Sequence, residues 1–234
     1  MAAFVLVHSP LVGPFTWQPV AIELRRKGFQ AIVPTLANAS VPGSSYWQQH
    51  SKAVVQAVEP FPLGDSLILV GHSGAGMLLP SIREALGYPV AGYIFVDANL
   101  PRDGLSRLDH FPQQEAEQFR QTAIGGFLRV WKEDELLPLI PGDTMRKQFV
   151  SELRPMPLAV YEEPIPVFSG WPDAPCGYLS FSATGVYDEA IQTAKQEGWA
   201  YAELAGKHFH MLVEPDVVSD MLVRLAEDMG VALP

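Results

Sequence analysis

Ser73 stands where residue type and spacing converge on covalent chemistry. An apolar run, Leu67-Ile68-Leu69-Val70, leads into Gly71-His72-Ser73-Gly74-Ala75-Gly76 and then into a segment of helical spacing that reaches Leu86. A buried strand that turns sharply into a helix holds the serine at the tip of the turn. The small residues Gly71 and Ala75, two positions to either side, leave room for that turn. The hydroxyl is then presented at the C-terminal edge of a sheet. Beside it lies a helix N-terminus whose free N–H groups favour negative charge. The Gly74 N–H, directly after the serine, is a candidate donor to an oxyanion. A serine hydroxyl needs a base to take its proton and an acid to orient the base. His208 and His210 share one loop near the C-terminus, and either could be that base. Two aspartates compete for the acid. Asp97 ends the apolar run Ile94-Phe95-Val96, where an unpaired carboxylate would be costly. Asp188 stands directly before a helical run, Glu189–Gln196, where an N-cap Asp is expected. Asp97 with a histidine ring as partner is therefore preferred, and Asp188 is the alternative.

The elements that must position these residues alternate along the chain. Strands are expected at Phe4–His8, Ala31–Pro34, Ser66–Val70, Gly92–Val96, Tyr178–Ser182 and Trp199–Leu204. Helices are expected at Trp17–Lys27, Tyr46–Val58, Gly76–Leu86, around Ile191–Gln196 and at Pro215–Asp228. This alternation predicts an α/β fold, a parallel sheet with helices on both faces. Residues 101–175 break the rhythm. They hold helical pieces at Gln113–Gln121 and Thr144–Leu153, no evident strand, and six prolines from Pro155 to Pro175 that impose an extended path. The expected organisation is a core of residues 1–100 and 176–234 with a helical lid inserted at 101–175. Some of the lid aromatics, among them Phe111, Phe119, Phe127, Trp131, Phe149, Tyr161, Phe168 and Trp171, would wall an apolar pocket. Glu162-Glu163 reads as a solvated pair, with a carboxylate placed in that pocket as the alternative.

Charge and composition exclude several functions. The 16 basic and 26 acidic residues of the 234 leave a net charge of −10, which disfavours nucleic acid and anionic lipid as partners. With Cys176 as the single cysteine, no internal disulfide can form. The N-terminal stretch lacks the charged start of a signal peptide, and no apolar run approaches the roughly 20 residues of a membrane helix. A cytoplasmic protein is expected, as a monomer or a homodimer.

These motifs resemble the α/β-hydrolase superfamily, most closely its small, lidded esterase and hydroxynitrile-lyase-like branch. The resemblance spans nearly the whole chain and is carried by three places. His8-Ser9-Pro10 with Trp17 downstream is similar to the family's His-Gly-x loop, Gly71–Gly76 to its elbow, and Gly206–Pro215 to the loop with its catalytic histidine. It implies six parallel strands in the order 2-1-3-4-5-6, without the fold's usual N-terminal hairpin. In the family the base stands seven residues before the proline that opens the last helix. Counting back from Pro215 gives His208, and leaves His210 to the pocket or to the loop. His8 and His72 become structural or pocket residues. The family mostly places its acid after the strand that Asp188 follows, though some members use the earlier strand. Gly185-x-x-Asp188 has the usual spacing, but only 20 positions separate Asp188 from His208, a short interval.

One departure stands out. The family's second oxyanion donor is the third residue of the His-Gly-x loop, which here is Pro10 and has no N–H. The Leu11 N–H or a side chain would have to serve instead. The resemblance implies an enzyme without cofactor or metal. It would hydrolyse a small-to-medium apolar ester, thioester or lactone through Ser73, His208 and Asp97, with Gly74 and Leu11 at the oxyanion. A weakened oxyanion hole leaves two alternatives. One is a lyase or cyclisation catalyst in which Ser73 and His208 only move a proton. The other is a ligand-binding protein on the same fold.

Overall fold

Strands buried on both faces need no polar alternation, and three runs of this chain have almost none. They form the centre of the sheet: β1 (Ala3–Val7), β3 (Leu67–His72) and β4 (Gly92–Val96), every residue of which is buried. This is a computed structural model, and it describes residues 2–38, 41, 43–61, 66–182 and 185–233. With β2 (Gln30–Ile32), β5 (Cys176–Phe181) and β6 (Ala200–Leu204), the strands form one parallel sheet in the order β2-β1-β3-β4-β5-β6. That is the expected 2-1-3-4-5-6. The strand ends differ by a residue or two. β2 stops at Ile32, and the Pro34 expected within it has no N–H to give a ladder.

Side-chain alternation divides the core into two layers. Phe4, Leu6, Ile68, Val70, Ile94 and Val96 face α1 (Gln18–Arg26) and α8 (Pro215–Asp228), whose Leu24, Val218 and Leu222 are fully buried. Val5, Val7, Leu69, Tyr93 and Phe95 face α2 (Tyr46–Val58), α3 (Leu79–Leu86) and α7 (Asp188–Gln196). Trp17 caps α1 instead of lying inside it, and its indole N–H donates to the Val7 carbonyl at 3.1 Å, fixing the end of β1.

The segment between β4 and β5 holds α4 (Gln113–Gln121), α5 (Asp143–Glu152) and the single turn α6 (Ala159–Glu162). It also contains strand, which the sequence did not suggest. Phe127–Leu128 pairs antiparallel with Met156–Pro157, a pair too short to leave a period-2 signature. Leu108, Ala116, Leu128, Met156, Val160 and Tyr161 give the segment a small core of its own. Phe149 and Leu153 join the main core instead. Glu152 Oε2 accepts the Phe15 N–H at 2.7 Å, which ties α5 to the loop after β1. Of the Glu162-Glu163 pair, Glu162 is exposed as expected and Glu163 is not. Glu162 is bonded to Arg120, while the half-buried Glu163 accepts the Tyr46 and Trp47 N–H groups at 2.8 and 2.6 Å and so caps α2. Burial raises the Glu163 pKa.

Candidate active site

Ser73 follows β3 directly and adopts φ = 56°, a left-handed conformation that costs a non-glycine residue of order 1–3 kcal/mol. The turn is tight enough to explain the small residues around it. A Cβ at Gly71 would lie 3.0 Å from the Gly76 backbone, and one at Gly76 would lie 2.4 Å from the Asn99 carbonyl oxygen. The α-helix expected from Gly76 begins only at α3. Ser73–Leu78 forms a 3₁₀ turn first. Two glycines within six residues are poor helix formers, and the tighter coil keeps the elbow close to β4.

Asp97 follows β4 directly and is fully buried at φ = 43°. Among the described residues, it and Ser73 are the two non-glycine positions with positive φ. Its Oδ2 lies 2.6 Å from His208 Nδ1, and its Oδ1 accepts the Phe181 N–H at 3.3 Å. A carboxylate on Nδ1 sets the imidazole tautomer and leaves Nε2 as the free face of the ring. His72, beside Ser73, stacks at a tilt on His208 with ring centroids 4.4 Å apart, and its Nε2–H donates to the His208 carbonyl at 2.9 Å. Burial, and then the His208 charge, hold the His72 pKa well below its ordinary value, so this ring stays a neutral prop for the loop. The structure thus puts Asp97 and His208 in direct contact, and the His208 ring lies against two neighbours of Ser73: the adjacent His72, and Tyr187, whose hydroxyl is bonded to Ser73 Oγ. His210 turns away to Glu214, with Nε2 2.9 Å from Oε2. Asp188 is exposed at the start of α7 and does not cap it; the cap position belongs to Tyr187.

The loop after β1 is held without a spare backbone donor at Pro10. His8 donates from Nδ1 to the Ser9 carbonyl at 2.8 Å and accepts the Leu36 N–H on Nε2 at 3.2 Å. Burial takes its pKa down to about 4, which keeps it neutral in that role. The Pro10 carbonyl accepts from Asn38 Nδ2 at 2.8 Å, and Asn38 in turn accepts from His50. The Leu11 N–H is directed at Ser9 Oγ, 3.5 Å away. Gly74 keeps the position next to the serine.

Two residues of this site have no signal in the sequence. Arg107, from an ordinary polar stretch of the insertion, is buried against the elbow. It donates from Nε to the Gly74 carbonyl at 3.0 Å and from Nη1 to the Val160 carbonyl at 2.8 Å. Burial lowers its pKa to about 10, which leaves it charged at neutral pH. Tyr187, from the loop after β5, places its hydroxyl 3.2 Å from Ser73 Oγ and stacks on the His208 ring, with centroids 5.7 Å apart and planes 20° from parallel. It also borders two adjoining cavities of about 410 and 420 Å³. Leu100, Pro101, Trp171, Pro172 and Trp199 wall the first, and Phe111 and Pro112 the second. Among the described residues, no group of three or more His, Cys, Asp or Glu could hold a metal ion. No helix among them is long and apolar enough to cross a membrane.

Comparison with known proteins agrees with this architecture. Residues 4–221 match the Alpha/beta hydrolase family. The chain belongs to that family, in its esterase-like branch. A carbendazim hydrolyzing esterase of Nocardioides sp. (strain SG-4G) is 26% identical over 98% of this chain and 99% of its own length. Esterase PIR7B of Oryza sativa subsp. japonica is 30% identical over 53% of this chain and 47% of its own. Among solved structures, an extracellular alpha/beta-hydrolase from a Paenibacillus species superposes with a TM-score of 0.77 at 20% identity, covering 96% of this chain and 99% of that one. The methylesterase MES16 from Arabidopsis superposes with a TM-score of 0.73 at 16% identity, covering 97% and 100%.

Proposed function

We propose that this protein is a serine hydrolase that cleaves small-to-medium apolar carboxylic esters, with Ser73 as nucleophile, His208 as base and Asp97 as the orienting acid. Thioesters and lactones fall within the same chemistry. The observation that carries the reading is the 2.6 Å contact of buried Asp97 with His208 Nδ1, next to a serine held at a strained strand–helix turn. In this reading Ser73 Oγ attacks the carbonyl carbon and His208 Nε2 takes its proton. Asp97 stabilises the imidazolium that results. The Gly74 N–H, at the start of the 3₁₀ turn, meets the oxyanion. The insertion at 101–175 acts as a lid, since its Pro101, Arg102, His110 and Trp171 bound the cavity beside Tyr187. The esterase names of the relatives support ester cleavage as the reaction.

Pro10 favours a second reading. With no N–H at that position, a lyase or cyclisation reaction that builds little negative charge there would lose nothing. A fluorophosphonate separates the two readings. It should form an adduct on Ser73 that intact-protein mass and peptide mapping detect, and Ser73→Ala should abolish both the adduct and ester turnover. An unlabelled wild-type protein that binds ligand would overturn the hydrolase reading.

A further inference from the structure

Tyr187 touches the proposed nucleophile, yet its neighbours in the sequence, Gly185-Val186-Tyr187-Asp188, draw attention only to the aspartate. We propose that Tyr187 is a catalytic residue whose hydroxyl hydrogen-bonds the departing oxygen of the ester, beside the His208 nitrogen that protonates it. The inference rests on the serine-hydrolase reading and adds a residue to it.

Three observations support this assignment. First, the hydroxyl is already at the reacting atom, 3.2 Å from Ser73 Oγ. Second, the ring lies nearly parallel on His208, so phenol and imidazole approach the serine from the same side. That side is set by topology. Tyr187 follows β5, beyond β4 from the elbow, whereas the Pro10 loop follows β1, on the opposite flank of β3. The oxyanion belongs to the Gly74 and Pro10 flank. The oxygen that receives the proton from His208 belongs to the other. Third, Tyr187 borders a cavity of about 410 Å³ walled by Leu100, Pro101, Trp171, Pro172 and Trp199. A leaving alcohol placed there meets the aromatic surface of Trp171 and Trp199 together with the polar side chains of Asn99, Arg102 and His110.

The steps balance without a further reactant. Ser73 Oγ bonds the carbonyl carbon as its proton passes to His208 Nε2. On collapse the bond from that carbon to the alkoxy oxygen breaks, the electron pair stays on the departing oxygen, and His208 returns the proton to it. Tyr187 keeps its own proton and lends only a hydrogen bond. Burial raises the Tyr187 pKa further above its ordinary value, so the phenol remains a donor throughout the working range.

The test compares two butyrate esters that share an acyl group, a benzyl ester and a p-nitrophenyl ester, in the wild type and in Tyr187→Phe. kcat/KM reports acylation, the step in which the alcohol leaves. A hydrogen bond to an oxygen that gains charge makes about a 10- to 100-fold difference. The benzyl ester should therefore lose about that much in Tyr187→Phe. The p-nitrophenyl ester, whose oxygen departs unaided, should change less than about threefold. Extending the set to substituted phenyl butyrates should give a steeper dependence on leaving-group acidity in the variant. An equal loss on both esters, the mark of an oxyanion or purely structural role, would overturn the inference and leave the hydrolase reading standing, as would no loss on either. A wild-type protein that takes no fluorophosphonate on Ser73 would overturn both. Thermal unfolding of Tyr187→Phe within a few degrees of wild type accompanies the expected result.

Discussion

Two loops at the same edge of the sheet each follow a parallel strand with an aspartate, and they end in opposite states. The loop after β4 buries Asp97 completely at positive φ and turns its carboxylate onto His208 and the Phe181 N–H. The loop after β5 leaves Asp188 in solvent at the first turn of α7 and sends its neighbour Tyr187 into the site. Residue type is the same and the position along the fold is nearly the same. What differs is the direction in which the backbone delivers the side chain and the dielectric it meets. A buried carboxylate must find a hydrogen-bonded partner, while an exposed one is satisfied by water.

The largest expected effect tests that contrast directly. Asp97→Asn should lower kcat/KM on esters by about 10⁴-fold, because an amide oxygen and N–H₂ group cannot enforce the tautomer that leaves Nε2 basic. Asp188→Asn should change turnover less than about twofold. Equal losses in the two variants would break the comparison, and a loss confined to Asp188→Asn would move the acid to the later loop.

A smaller effect probes the opposite flank. Pro10→Ala places an N–H at the oxyanion position, and alanine can adopt the φ of proline. One such donor contributes up to about 10²–10³-fold in other serine hydrolases. The Asn38 bond to the residue-10 carbonyl should hold the loop in place. Ester turnover is expected to rise about 10- to 100-fold, at a cost of roughly 0.4–1 kcal/mol in stability from the freer unfolded chain. No gain in a folded variant would show that another group already fills the hole.

The smallest effects concern the neutral histidines beneath the site. His8 and His50 have pKa values lowered to about 4 and about 3, chiefly by burial, and His72 is lowered too. In the unfolded chain they titrate near 6.5. Between that pH and about 4 the unfolded state binds more protons, so stability is complete above 6.5 and falls as the pH drops through this window. Each ring contributes up to about 1.4 kcal/mol per pH unit. Urea midpoints at pH 7, 6 and 5 should decline accordingly. His50→Gln, which retains a donor for Asn38, should flatten the decline. An unchanged slope would mean that the His50 ring is protonated in the folded state.

The sequence by itself determined the sheet and the place of Ser73, the proposed nucleophile, at the strand–helix turn. The runs Phe4–Val7, Leu67–Val70 and Gly92–Val96 can be satisfied only by burial on both faces. The small residues around Ser73 fit a turn in which a Cβ at Gly71 or Gly76 would strike backbone. Asp97 was legible for the same reason, as a charge with no exit at the end of an apolar strand. The insertion was legible only in outline. Its Phe127–Leu128 and Met156–Pro157 pairing is two residues long, and Glu163 is committed to α2, 116 and 117 positions away in sequence. Tyr187 and Arg107 were decided by tertiary structure alone. Neither has a patterned neighbourhood. What makes them part of the site is the return to the elbow of the loop after β5 and of the segment between β4 and β5, which brings a phenol to Ser73 Oγ and a guanidinium to the Gly74 carbonyl. Local periodicity records which face of an element is buried; it does not record which distant side chain will meet it there.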